Sequence, residues 1–327
     1  MTLPGTEKQK SPDSPESGAG PTVAELARGI IAEYADTLSA DNCRTDLEKS
    51  VGPALDHARD MVRRLEPPVI LDPSKRSRSP LARFLFASRE EELDVLQHAS
   101  RVRQVFVRQA ERCAFLLTMR RREYELLGTE LENDMVRSGV LQHAVEFLEH
   151  NVPLAAPGLE ELEHMLVREI VRYLAAIVPT RVRQNRSAKA EIMRSEELLK
   201  AQLHTLEQAR REEHRPFAVP DALRGKVNEG ERELEAMEAK LRALPLAQDT
   251  MHCLKETRQM LEEPEPHIRL ERVAMRVDDF GIKSDKGEPV AVHECVYDNG
   301  RRMAVVIAEI SRETAMALWP DIRADKA

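Results

Sequence analysis

A mainly α chain is what this sequence predicts: a helical bundle, a long antiparallel helical (coiled-coil) hairpin and a small C-terminal α+β module. Three observations carry that reading. In residues 220–263, Leu223, Val227, Gly230, Leu234, Met237, Leu241 and Leu244 are spaced alternately four and three apart, the rhythm of a coiled-coil seam, and charged residues fill the positions between them. Charged residues make up 32% of the chain and aromatic residues 4%, a composition of long helices rather than of sheets. After Pro264 and Pro266 the pattern changes to β-type alternation, and Asp298-Asn-Gly300 separates two alternating runs. The expected division is a disordered tail over residues 1–21, the bundle over 22–180, the hairpin over 181–264 and the β-hairpin/α module over 265–327.

In chain order, residues 1–21 are polar and rich in Pro, Ser, Gly and Glu, too poor in apolar surface to offset the entropy of ordering. Thr22 with Glu25 reads as a capping box that opens a helix through Leu26, Ile30 and Tyr34. A second helix, from about Asn42, carries Leu47, Val51, Leu55, Ala58 and Val62 on one stripe and stops at Pro67-Pro68. Residues 69–81 read as a linker with a basic Ser/Pro cluster. Ser88 with Glu91 is a second capping box, and the spacing predicts a long helix to Leu127 with Gly128 as its stop. A further helix is expected over 129–150, and another over 158–178, ended by Pro179.

From Arg186 to His214 the pattern is helical again, with Leu199 and Leu203 inward. The breaker at 215–220 and the seam that follows make the two segments an antiparallel pair, Leu234 and Leu241 facing Leu199 and Leu203. In the last segment a two-residue turn at Asn299-Gly300 would set Val296 opposite Met303, Glu294 opposite Val305 and Val292 opposite Ile307.

The chemistry the residues suggest is thin. The net charge of −8 argues against non-specific binding of nucleic acid. Cys43, Cys113, Cys253 and Cys295 lie far apart with no C-x-x-C pair, so the expectation is four reduced thiols, no metal cluster and a cytoplasmic location. No secretory signal or membrane-length apolar run is read. His143, Glu146 and His150, with Glu161 and His164, have spacings reminiscent of di-metal helical bundles, but solvated or helix-pairing residues are the preferred reading. Arg101, Arg108 and Arg112, then Arg120, Arg121 and Arg122, and separately Arg181, Arg183 and Arg186, form basic clusters interleaved with glutamates. Asp279-Phe-Gly281 has the letters of a kinase magnesium motif without the other kinase motifs.

Arg272-Val-Ala-Met-Arg276, ahead of Asp279, Gly281 and a hairpin, resembles the PilZ family of cyclic-di-nucleotide receptors over the last fifth of the chain. The spacing is shorter than that family's and its serine is missing. A β bulge with exposed arginines is the preferred reading of those residues.

No complete catalytic constellation is present, and no cofactor is expected. The function expected is therefore that of a non-enzymatic, intracellular structural or adaptor subunit. Its partners would be other proteins or a second copy of itself, with no membrane and no nucleic acid. The candidate partner-binding residues are Leu223, Val227, Leu234, Met237 and Leu241 on the seam, with Arg181, Arg183 and Arg186 at the base of the hairpin. The alternative is a regulator that binds a nucleotide or nucleic acid through its arginine-rich patches.

Overall fold

The structure, a computed structural model, describes residues 20–34, 43–72, 80–132, 135–212, 221–243, 250–278 and 280–323. The expected tail (through residue 19), the breaker at 215–220, Leu244 and Asp279 lie outside the described residues. The elements in order are α1 (Val23–Glu33), α2 (Cys43–Arg63), β1 (Val69–Ile70), α3 (Pro80–Leu85), α4 (Arg89–His98), α5 (Ser100–Val107), β2 (Arg112–Glu132), β3 (Met135–Ala156), α6 (Leu159–Glu212), α7 (Asp221–Ala243), α8 (Thr250–Glu262), β4 (Ile268–Val277), β5 (Glu288–Tyr297), β6 (Arg302–Ser311), α9 (Arg312–Leu318) and a 3-10 turn at Pro320–Arg323.

The mainly α expectation is overturned by a six-stranded sheet in the order β3-β2-β6-β5-β4, with β1 added in parallel beside β6. The chain is mixed α/β. The error is concentrated in residues 112–156, where two helices were expected and a long antiparallel β-hairpin is found. Its physical cause is burial on both faces. Every residue from Cys113 to Met119 is buried, because β2 lies between β3 and β6 with helices above and below. A strand covered on both faces loses its alternation and becomes a continuous apolar run. Beyond Met119, strong helix formers such as Glu, Arg and Leu sit in a ribbon whose conformation is set by cross-strand pairing rather than by local propensity. Gly128, expected as a helix stop, pairs with Val140 inside that ribbon. Pro153 lies in β3, which borders the sheet and so can leave an N–H side unpaired.

The C-terminal strands do not stand apart from the rest of the chain. β6 pairs with β2 from Arg112↔Ser311 to Met119↔Ala304, so sequence neighbours of the long helices and the last β-hairpin share one sheet. On one face Leu116 and Ile307 pack against Leu47, Val51 and Leu55 of α2 and Leu162 and Leu174 of α6. On the other, Phe115, Leu117 and Val306 meet Leu85, Leu96, Phe106 and Trp319.

The sheet also curls on itself. Lys283 N–H donates to the His143 carbonyl at 2.7 Å and Val145 N–H to that of Gly281 at 2.8 Å, while Asp278 N–H donates to Ile282 at 2.9 Å and Ser284 N–H to Arg276 at 3.1 Å. Residues 281–284 thus join the two border strands, β3 and β4. Gly281 is required there: its φ is +79°, and an added Cβ would stand 2.6 Å from the Val145 carbonyl oxygen.

The last hairpin is present, but its register differs by one residue from the expected one. Val296 opposes Arg302, Glu294 opposes Ala304 and His293 opposes Val305. The loop has three residues: Tyr297 N–H donates to Arg301 O, Gly300 N–H to Tyr297 O, and Gly300 takes φ +78° while Asn299 stays out of the left-handed region. This is a turn closed by a glycine bulge rather than a two-residue type I′ turn.

Pro179 does not end its helix. α6 runs unbroken for 54 residues, about 80 Å, because Leu174, Ala175, Val178 and Val182 around the proline are all buried in the core. The capping box at Thr22 forms as expected, Glu25 N–H reaching Thr22 Oγ1 at 3.3 Å and Thr22 N–H reaching Glu25 at 3.0 Å; at Ser88 only the N-cap half forms, Glu91 N–H reaching Ser88 Oγ at 3.2 Å while the Glu91 carboxylate accepts from Ala87 N–H at 2.7 Å. No described helix is long and apolar enough to cross a membrane.

Candidate functional site

The second half of α6 leaves the body of the protein and is met there by α7. They meet at Leu203, which lies over Gly230; a Cβ on Gly230 would come within 2.7 Å of Leu203 Cδ2. Val227, one turn earlier, is buried, and Leu234, Met237 and Leu241 are half-buried. The side chain of Leu223 lies outside the described residues. The apolar stripe of α7 therefore does pair with α6, and the small residue within it lets the two backbones approach. The seam does not run on as one helix: α8, which carries Met251, Leu254 and Leu261, returns to the body and packs on α2 and α6.

Among the described residues, α7 makes its substantial contacts with α6 alone. The rest of this two-helix arm is open: Glu229, Glu231, Glu233 and Glu235 on α7 are exposed, and on α6 Met193 and Leu198 are 45% and 63% exposed. At the arm's base, Arg181 pairs with Glu256 of α8, and Arg183 lies 5.2 Å from the Tyr34 ring centroid and donates to the Glu33 carbonyl at 3.4 Å. Arg186 is exposed. Two of these three arginines thus serve contacts within the chain.

The chain matches no family model, no curated protein and no solved structure.

The other basic clusters are dispersed by the β2–β3 hairpin. Arg112 pairs with Glu309 at 3.0 Å, Arg120 with Glu149 at 2.8 Å and Arg122 with Glu146. His143, Glu146 and His150 lie on a strand, so the helical face that would have aligned them does not exist. His143 approaches Glu125, and His150 stacks on Phe86 with Nε2 against the Leu85 carbonyl at 2.8 Å. Glu161 and His164 are on α6.

The sequence reading missed the most ordered charged assembly. Glu294, 2% exposed, accepts from Arg121 Nε at 2.6 Å and from Arg302 at 3.1 Å. Arg302 also holds Glu271, the residue directly across from Glu294, at 2.9 Å, and Arg269 holds Glu271 at 2.9 Å. Arg121 further pairs with Glu123, which Lys283 also holds. The result is an unbroken alternation of charge from β4 to the 281–284 segment. One signal was legible: a glutamate inside Val290-Ala-Val-His-Glu-Cys-Val296 must find a cation if that strand is buried. His293 and Cys295 share the opposite face of β5. Burial lowers the His293 pKa against a partly opposing effect of Glu66, and burial pushes the Cys295 thiol up to about 12.

Between β3 and β4, above residues 281–284, lies an open cleft of about 1250 Å³ bordered by Leu141, His143, Arg272, Arg276, Lys283 and Lys286. Arg272 is held by Glu66 at 3.1 Å; Arg276 and Lys286 have no ion-pair partner among the described residues.

Proposed function

We propose that the protein is a non-enzymatic subunit that works through protein contacts of its helical arm. The observation that carries this reading is that, among the described residues, α7 rests on α6 alone, and the remaining faces of both arm helices have no substantial contact with the body. A two-helix pair covers only one stripe of each helix, and isolated helical pairs of this size are marginal in water. Met193 and Leu198, apolar and outside the seam, mark where a partner's side chains would gain burial.

The test is affinity capture by the full chain and by Met193→Glu/Leu198→Glu, whose substitutions leave the Leu203–Gly230 contact untouched. A partner held by the wild type and lost by the variant supports the reading. Identical capture by both would refute it.

An anion-binding regulator is the competing reading, and it draws support from Arg276 and Lys286 in the cleft rather than from the arm. Binding of a nucleotide that weakens with salt and is lost in Arg276→Ala/Lys286→Ala would favour it.

A further inference from the structure

A second cavity, of about 450 Å³, lies between the sheet and the helices that cover it. This volume falls within the roughly 300–1,000 Å³ range of small-molecule sites. Its floor is sheet, including Leu116, Leu270 and Val305, and its roof comes from the end of α2 and from α6, including Leu65, Leu166 and Ile170. These walls are aliphatic. The polar groups that line it are few and unequal in what they have left to offer. Arg172 is already held by Glu33 at 2.9 Å and by Glu169 at 2.8 Å. The Arg101 side chain, by contrast, has no hydrogen bond or ion pair with any described residue, and the residue is exposed. Arg172 is thus already offset by carboxylates, and Arg101 is the lining arginine without an ion-pair partner among the described residues.

We infer that this cavity binds an unbranched aliphatic monocarboxylate, a ligand of the fatty-acid type, with its carboxylate on Arg101 and its chain against the leucine and isoleucine walls. An apolar chain removes the exposed aliphatic surface from water, and a carboxylate is the group that a planar, unpaired guanidinium holds in bidentate fashion. Tyr297 adds a hydroxyl with no partner among the described residues. Burial pushes its pKa up to about 12, so it stays a neutral donor. A dicarboxylate or phosphate would set a second negative charge against Glu169 or against aliphatic walls, which disfavours both. The inference is independent of the arm, which contributes nothing to the lining.

The test is calorimetric titration of the full chain with decanoate, and with 1-decanol as the neutral probe of equal chain length. The expected result is one decanoate per chain, bound at least tenfold more tightly than decanol. Arg101→Ala should weaken decanoate about tenfold, equivalent to about 1.4 kcal/mol, and leave decanol unchanged. Leu166→Trp fills the cavity and should abolish both; Ile170→Phe, at a half-buried position, makes the same test if the larger replacement does not fold. The inference is overturned if neither probe binds at millimolar concentration. It is equally overturned if Arg101→Ala keeps the preference for decanoate, or if a folded cavity-filling variant binds as the wild type does.

Discussion

Replacing Arg121 by methionine should destabilise the protein by about 3 kcal/mol. Glu294 is buried at the centre of the sheet, and Arg121, whose side chain is 16% exposed, holds it at 2.6 Å. At that separation, and with an effective dielectric constant near 20, the attraction is about 6 kcal/mol, and desolvation of the two ions offsets much of it. Removing one partner leaves the desolvation of the other uncompensated, which costs about 3–5 kcal/mol for buried pairs. The lower end applies because Arg302 remains on Glu294 at 3.1 Å. The partner variant Glu294→Leu should be destabilising for the same reason, since it strands Arg121 with Glu123 alone. The double variant Arg121→Met/Glu294→Leu removes both charges and should recover at least half of the single-variant loss. Urea unfolding of the four proteins gives the coupling energy as a double-mutant cycle. If Arg121→Met lies within about 0.5 kcal/mol of wild type, or the double variant is no more stable than the singles, the buried-pair argument fails.

In the β5–β6 turn, Gly300→Val should cost about 1–2 kcal/mol because φ is +78° there, whereas Asn299→Ala should lose only the side-chain bond to Arg301 N–H at 2.9 Å; equal, large losses of thermal midpoint at both would restore the two-residue turn. His293 is buried and its pKa is lowered by burial, so the fold favours its neutral form. That stability is present above the unfolded-state value near 6.5 and is lost as pH falls through it towards the folded value. His293→Gln should flatten the stability profile between pH 7 and 5, and an unchanged profile would place the titrating group elsewhere. Cys113 and Cys295 are pushed up to about 12 by burial, and both are free thiols. Cys113, which is fully buried, should react with a disulfide reagent only as fast as the protein opens, whereas rapid labelling of it in the native state would contradict its burial.

What could be read from the sequence was what is encoded locally. Thr22, Ser88 and Ser311 announce helix starts through hydroxyls that cap N–H groups three residues on, and all three caps form. The stripe through Leu47, Val51, Leu55 and Ala58 belongs to a helix with one buried face, and it is one. Asp298-Asn-Gly300 does turn a hairpin, but the choice between a two-residue loop and a three-residue loop with a bulge depends on how β5 meets β6. The β2–β3 hairpin was illegible for a different reason. Cys113–Met119 is apolar but for Thr118, and such a run does not separate a buried strand from a buried helix. What decides it is pairing with β6, about 190 residues downstream. The same distance hid the site residues: Arg121 and Glu294 are 173 residues apart, and the 450 Å³ cavity is assembled from α2, α5, α6 and every strand but β1. The apolar stripe of α7 was legible because its spacing is a local repeat, although Pro179 suggested a break in α6 that core burial overrides.

If the arm is a face left open for a partner, hydrogen exchange along the isolated full-length protein will show it. Amides of residues 186–208 and 225–243 should exchange well ahead of those of α2 and of β6, because only one stripe of each arm helix is covered. Protection should then rise over the arm, and not over the body, when the captured partner is added or when the protein self-associates at high concentration. Arm amides that exchange as slowly as the body in dilute, partner-free protein would contradict the claim, because the arm would already be covered by its own chain.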